Sequence, residues 1–158
     1  MWRSLVAWVL IVALGWAAYL DVADLAGWQY SPSHFACARL GVGALYFVGA
    51  GLEVALLVAA MAALLFPRAR GFGLVVGALL YGLAHTLVTV RLVGADLEGA
   101  RRVFAQGGVE AGHMLTAEEL DAMFSPAGQQ QRAGTALVFS LACGVLLMTI
   151  RPYFEPRA

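Results

Sequence analysis

Leu40–Phe66 reads LGVGALYFVGAGLEVALLVAAMAALLF. It is apolar from end to end except for one acid, Glu53, close to its centre. A bilayer core of roughly 30 Å takes about 20 helical residues, with a tolerated range near 17–25. Leu40–Phe66 meets that length with some tilt or overrun into the interface. Lipid offers no partner to a backbone N–H or C=O, and the run shows no alternation of polar and apolar residues, so a helix is expected and a barrel strand is not.

Three further stretches read the same way. Ser4–Leu20 is SLVAWVLIVALGWAAYL, Gly71–Ala95 is GFGLVVGALLYGLAHTLVTVRLVGA, and Ala133–Ile150 is AGTALVFSLACGVLLMTI. The whole composition agrees with them. Hydrophobic residues make up 61% of the chain, charged residues 13%, and the mean hydropathy is +0.79. Soluble domains carry about 25% charged residues, so this chain has too little charged surface for water and is suited to lipid. The fold expected is an all-α integral membrane protein with four transmembrane helices in an antiparallel bundle. Residues 1–158 form one domain, with helices near 4–20, 40–66, 71–105 and 126–150. Met1-Trp2-Arg3 and the apolar run after it also have the form of a signal peptide, with Gly15-Trp16-Ala17 as a small-x-small step; the segment is read as a retained helix.

The loops set the expected orientation. Arg3, Arg68, Arg70, Arg151 and Arg157 fall in three short segments on one side. The other side spreads its arginines over two longer loops, and those loops also hold Asp21, Asp24, Asp96, Glu98, Glu110, Glu118, Glu119 and Asp121. Arginine density therefore points to cytoplasmic N- and C-termini, and the expected location is a bacterial inner membrane. The net charge is zero and there is no basic block, which excludes nucleic acid as a partner class.

The second outer loop carries helix signals of its own. Asp96–Phe104 reads as a continuation of the third helix, with Glu98 placed to pair with Arg101 and Arg102, and Gly107-Gly108 as its end. Thr116-Ala117-Glu118-Glu119 is a capping box that opens a short outer helix near 117–124. Ser125-Pro126 reads as N-cap and first residue of the fourth helix.

Glu53 carries the strongest functional signal. A charge at the bilayer centre costs roughly 2.5–3.5 kcal/mol on insertion scales, so such a residue faces the bundle interior and finds a partner. Antiparallel packing brings His85 to a similar depth, with Tyr81 one turn away and Tyr46 two turns before Glu53. A buried polar cluster of Glu53, His85, Tyr81 and Tyr46 is expected. Its plain reading is interhelical glue, worth about 0.6 kcal/mol and rarely above 2. Its functional reading is handling of protons, a quinone or a substrate. A b-type haem held within the chain would need a second membrane histidine, and His34 and His113 both lie in outer loops; an axial ligand shared with a neighbouring chain stays open, and the cofactor is unknown. Asp21, Asp24, His34 and Cys37 in one outer loop, with Glu110 and His113 in the other, lack metal-ligand spacing, so no metal is expected. Cys37 and Cys143 fall in different environments, which argues against an intrachain disulfide. Arg91, near the outer end of the third helix, reads as snorkelling to headgroups.

Small residues mark packing faces. Gly51, Ala55, Ala59 and Ala63 make an i,i+4 ridge, and Gly73 and Gly77 a GxxxG step. They suit contact with the neighbouring helix, with other membrane subunits or with a second copy. The CxxC of quinone-linked thiol oxidases and the Cys-Cys-Gly of tetraspanins are both absent, and no family pattern is recognised. The function expected first is a non-catalytic accessory or structural subunit of a larger membrane complex. The alternative is an autonomous proton- or quinone-linked transporter or redox protein using the Glu53, His85 and Tyr81 cluster. A ligand sensor built on the outer loops ranks third.

Overall fold

The computed structural model describes residues 2–110 and 116–155. All its regular structure is helical, with no strand among the described residues. In chain order the helices are α1 (Trp2–Ala26), α2 (Pro32–Arg39), α3 (Gly43–Leu65), α4 (Gly71–Gly94), α5 (Leu97–Glu110), α6 (Ala117–Met123) and α7 (Pro126–Thr149), with single 3₁₀ turns at Trp28–Tyr30 and Arg151–Tyr153. Four of them, α1, α3, α4 and α7, are long and apolar enough to cross a membrane. By length and composition the chain is an integral membrane protein.

Each long helix buries one narrow stripe. On α1 it is Ala7, Leu10, Leu14 and Ala18; on α3, Tyr46, Ala50, Glu53, Leu57, Ala60 and Leu64. The three-to-four spacing puts each set on one helix face. The α1 stripe, Leu57, Ala60 and Leu64 of the α3 stripe, and their counterparts on α4 and α7 (Val75, Ala78, Leu79, Cys143 and Leu147) form one apolar cluster that ends on Ile150 and Phe154. The remaining faces stay apolar and exposed, as Leu5, Val12, Val58, Leu80, Leu141 and Val145 show. In water such a surface would aggregate; in lipid it is the solvated side.

The two ends of the molecule differ. At one end Phe72 meets Phe154 edge to face and Arg151 lies over the Phe72 ring, tying the α3–α4 turn to the end of α7. At the other end α2, α5 and α6 form a helical cap with its own small core of Ala36, Val93, Ala100, Leu120 and Phe124.

Several boundaries differ from the sequence reading. α1 runs past Leu20 to Ala26, so Asp21 and Asp24 are helical residues and not loop residues. Their side chains find partners or a cavity on the inner face, so two acids do not break the helix. The loop that follows contains α2. Ser31 caps it by accepting from His34 N at 3.3 Å, Pro32 holds the first position, and Gly41 at φ +74° reverses the chain after it. The single helix expected over 71–105 is divided into α4 and α5. Asp96 makes the break by accepting from Gly99 N at 2.9 Å, a local cap that competes with continuing the helix. Gly107-Gly108 does not end α5, which continues to Glu110. There a Cβ on Gly107 would meet the Cβ of Tyr30 at 2.5 Å, so glycine serves close packing against Tyr30, whose phenol donates to Glu110. That contact pushes the Tyr30 phenol above its ordinary pKa. Arg101 does not turn back to Glu98; it pairs with Asp121 of α6 at 2.9 Å.

At α6 Thr116 accepts from Glu119 N at 3.2 Å, and Glu119 takes the Thr116 N–H at 2.8 Å. Ser125 accepts from Gly128 N at 3.0 Å at the head of α7.

Candidate functional site

The polar cluster inside the helices starts from Glu53. It lies at the middle of α3, on the stripe that faces the other helices, and is 8% exposed. His85 of α4 meets it, Nδ1 against Glu53 Oε2. That contact requires one proton between the two atoms: either the imidazole N–H donates to a carboxylate, or a carboxylic acid donates to the imidazole. Tyr81 packs its ring against His85 with centroids 6.0 Å apart and donates its hydroxyl to the Gly49 carbonyl at 3.1 Å. Glu53, His85 and Tyr81 are thus together at the α3–α4 contact.

Tyr46 shares a cavity with Glu53 and His85 but hydrogen-bonds to neither. Its hydroxyl donates to Asp24 Oδ2 at 2.9 Å, and Ser31 donates to the same oxygen at 2.9 Å. One oxygen of Asp24 thus accepts from two hydroxyls. Its neighbour Asp21 differs: Oδ2 of Asp21 is shielded from solvent and accepts no hydrogen bond from the described residues. A buried acceptor left without a donor costs about 1–3 kcal/mol, so it needs either a proton of its own or a donor from outside the chain.

These groups line two neighbouring cavities. The first, about 50 Å³, is lined by Asp21, Asp24, Tyr46, Glu53, His85 and Arg132 and lies toward the helical cap. The second, about 180 Å³, is lined by Asp21, Glu53, Gly82, Thr86, Phe139 and Ser140 and lies deeper among the spans. Asp21, Glu53 and Thr86 border both. Water needs roughly 10–15 Å³ and two to four polar partners to occupy a cavity, and both spaces satisfy that. Glu53 therefore borders both spaces, with His85 and Asp24 on the cap-side cavity and Gly82 and Ser140 on the deeper one.

Two members of this cluster, Asp21 and Asp24, were assigned by sequence to a loop, and Arg132 was not singled out. The signal for the two acids was present. Asp21 and Asp24 continue the spacing of Leu10, Leu14 and Ala18 on the inner face of α1, at a three-residue interval that suits a helix. Arg132 lies on α7, on the cavity side of the first turns.

The remaining candidates sit apart from this site. His34 packs among the rings of Trp28, Tyr46 and Phe47, at centroid distances of 4.7–5.4 Å. Cys37 and Cys143 are both free thiols; burial pushes the Cys37 thiol up. Arg91 is exposed. His113 lies outside the described residues. Among the described residues no group of three His, Cys, Asp or Glu side chains is arranged to hold a metal ion. On the packing faces, Gly51, Gly73 and Gly77 have nothing within 4 Å of a built Cβ. Ala55 is exposed, while Ala59 and Ala63 are half-buried; Ala63 lies at the close approach of α3 to Gly71. The ridge therefore looks mostly outward, and α3 packs within the chain through the neighbouring Ala50–Leu64 stripe.

Comparison of the chain with protein-family models, with curated proteins and with solved structures finds no match in any of the three.

Proposed function

We propose that this chain is a small proton-linked membrane transporter in which Glu53 and His85 exchange protons with the aqueous side at the helical cap. The observation that carries this reading is the Glu53–His85 contact inside the spans, opening through a polar cavity toward Asp24 and Arg132. Interhelical glue needs two partners. It does not need a third acid, Asp21, left without a donor beside a cavity. Structural pairs are also satisfied locally, whereas this pair borders space on two sides.

In this reading the spans form an antiparallel bundle. Its tight-turn end and both termini face the cytoplasm of a bacterial inner membrane, and the helical cap faces outward. Arg68, Arg70 and Arg151 at the tight-turn end support that orientation. Protons enter at the cap past Asp24, Asp21 and Arg132, reach His85 and Glu53, and leave along the deeper cavity past Ser140.

The test is proton flux into proteoliposomes holding the purified chain and a trapped pH-sensitive dye, under an imposed pH gradient. Flux above that of empty vesicles, reduced to their level by Glu53→Gln, is the expected result.

A second reading, an accessory subunit of a larger membrane complex or a homo-oligomer, draws on one observation. The outward positions Gly51, Gly73 and Gly77 leave open space where another helix could approach. A native gel after mild detergent extraction distinguishes the two. A large band of fixed composition favours the subunit, and a band of this chain alone favours the autonomous transporter.

A further inference from the structure

The deeper cavity does not end among polar groups. Leu79, Leu83 and Ser140 line it and also line an apolar groove of about 670 Å³ between α4 and α7. The groove runs along Val76, Leu80, Gly144 and Met148 to Phe72 and Thr149. From Leu83 to Phe72 that is about 16 Å of helix, at 1.5 Å per residue. Its volume falls within the roughly 300–1,000 Å³ of small-molecule sites. The cavity, a chamber that holds two acids in an otherwise largely apolar lining, and the apolar groove thus lie side by side across the same three residues.

The chamber's free groups select by charge. Asp21 Oδ2 has no donor among the described residues. Glu53 gives Oε2 to His85 and turns Oε1 against Gly82, where a Cβ would stand 2.8 Å away. Both are acceptors. The hydroxyls of Thr86 and Ser140 adjoin them. Arg132 borders the outer cavity and is absent from the deeper one. A head that brings positive charge or N–H donors meets these atoms; an anionic head meets two acids in a low-dielectric site.

We propose that chamber and groove form one binding site for a cationic amphiphile, its charged head between Asp21 and Glu53 and its alkyl tail along the α4–α7 groove. The site rests on the proton-linked reading for its role: bound cation and proton compete for the same two carboxyls, so loading one releases the other. A lipid tail alone in the groove is the competing occupant, and it has no use for the chamber.

The test is equilibrium dialysis of radiolabelled dodecyltrimethylammonium against the full chain in nanodiscs of zwitterionic lipid. Dodecyl sulfate and tetramethylammonium serve as matched probes of charge and tail. The expected result is saturable binding of dodecyltrimethylammonium above empty nanodiscs, with neither matched probe binding. Asp21→Asn and Glu53→Gln each weaken it roughly tenfold or more. Gly144→Trp, which fills the groove far from the acids at a position with open space for a side chain, does the same. Equal binding of dodecyl sulfate overturns the proposal, as does binding no greater than in empty nanodiscs, or binding unchanged by both Asp21→Asn and Gly144→Trp. The charge series on the unaltered chain keeps the test decisive where a variant fails to fold. Proton flux that depends on Glu53 without ammonium binding would sink this site and leave the proton-linked reading standing; binding as described without flux would do the reverse.

Discussion

Gly82 on α4 stands so close to Glu53 on α3 that a Cβ added to it would lie 2.8 Å from Glu53 Oε1. The absence of a side chain there lets the carboxyl sit between His85 and the deeper cavity. Gly82→Ala must displace Glu53. Overpacking of this kind costs about 1–3 kcal/mol, against a helix-propensity gain of up to about 1 kcal/mol. The expected outcome is a folded protein, slightly less stable in detergent, with proton flux reduced toward that of Glu53→Gln. Normal flux in a normally stable variant would mean that the position of Oε1 does not matter.

Asp24 is held by Tyr46 and Ser31, each at 2.9 Å. Tyr46→Phe removes one donor and leaves the carboxyl with the other. A loss of about 1–3 kcal/mol is expected, since bonds to a charged group are at the stronger end. Combining it with Asp24→Asn in a double-mutant cycle should give a coupling energy of about 0.5–3 kcal/mol. Strict additivity would show that the contact is energetically empty.

Glu119 is held below the ordinary carboxylate range by the backbone N–H and hydroxyl of Thr116. A carboxyl with a lowered folded pKa contributes stability that is present above its unfolded pKa and is lost as pH falls through the folded value. α6 should therefore fray on acidification below the ordinary glutamate range and stay intact at neutral pH. Amide exchange of the Glu119 N–H over a pH series measures this. Glu119→Gln, which retains the capping geometry without the charge, should remove the acid-sensitive step while leaving α6 formed.

Cys37 reports on the cap. Burial pushes its thiol up, so less of it is thiolate at neutral pH and alkylation is slower than for a free cysteine. In intact cells an impermeant maleimide should label it from outside, with the rate rising as pH rises. Labelling only after the cells are opened would reverse the proposed orientation.

The four spans were legible because an uninterrupted apolar run admits one solution in lipid, and the Leu40–Phe66 run is longer than the bilayer requires. Glu53, His85 and Tyr81 were legible for the same reason, because polar residues stand out within such runs. What was missed lay at the ends, where charge was taken as a sign of loop. Asp21 and Asp24 extend α1 because their carboxyls face the cluster and not lipid. α2 carried the same Ser-Pro opening at Ser31-Pro32 that was read correctly at Ser125-Pro126, but its apolar content is too low to stand out. Tyr46 was assigned to Glu53 on helical spacing alone. Spacing gives a shared face and not the nearer acceptor, which comes from α1.

Infrared titration of the chain in lipid tests most directly whether Glu53 exchanges protons with the cap side. The groups facing it are Asp21 and Asp24 from α1, Tyr46 on its own helix, Tyr81 and His85 from α4, and Arg132 from α7. The account predicts a protonated-carboxyl stretch that rises as the bulk pH is lowered, falls as it is raised, and is missing from Glu53→Gln. Spectra of Glu53→Gln and the unaltered chain that superimpose across the whole pH range would contradict it.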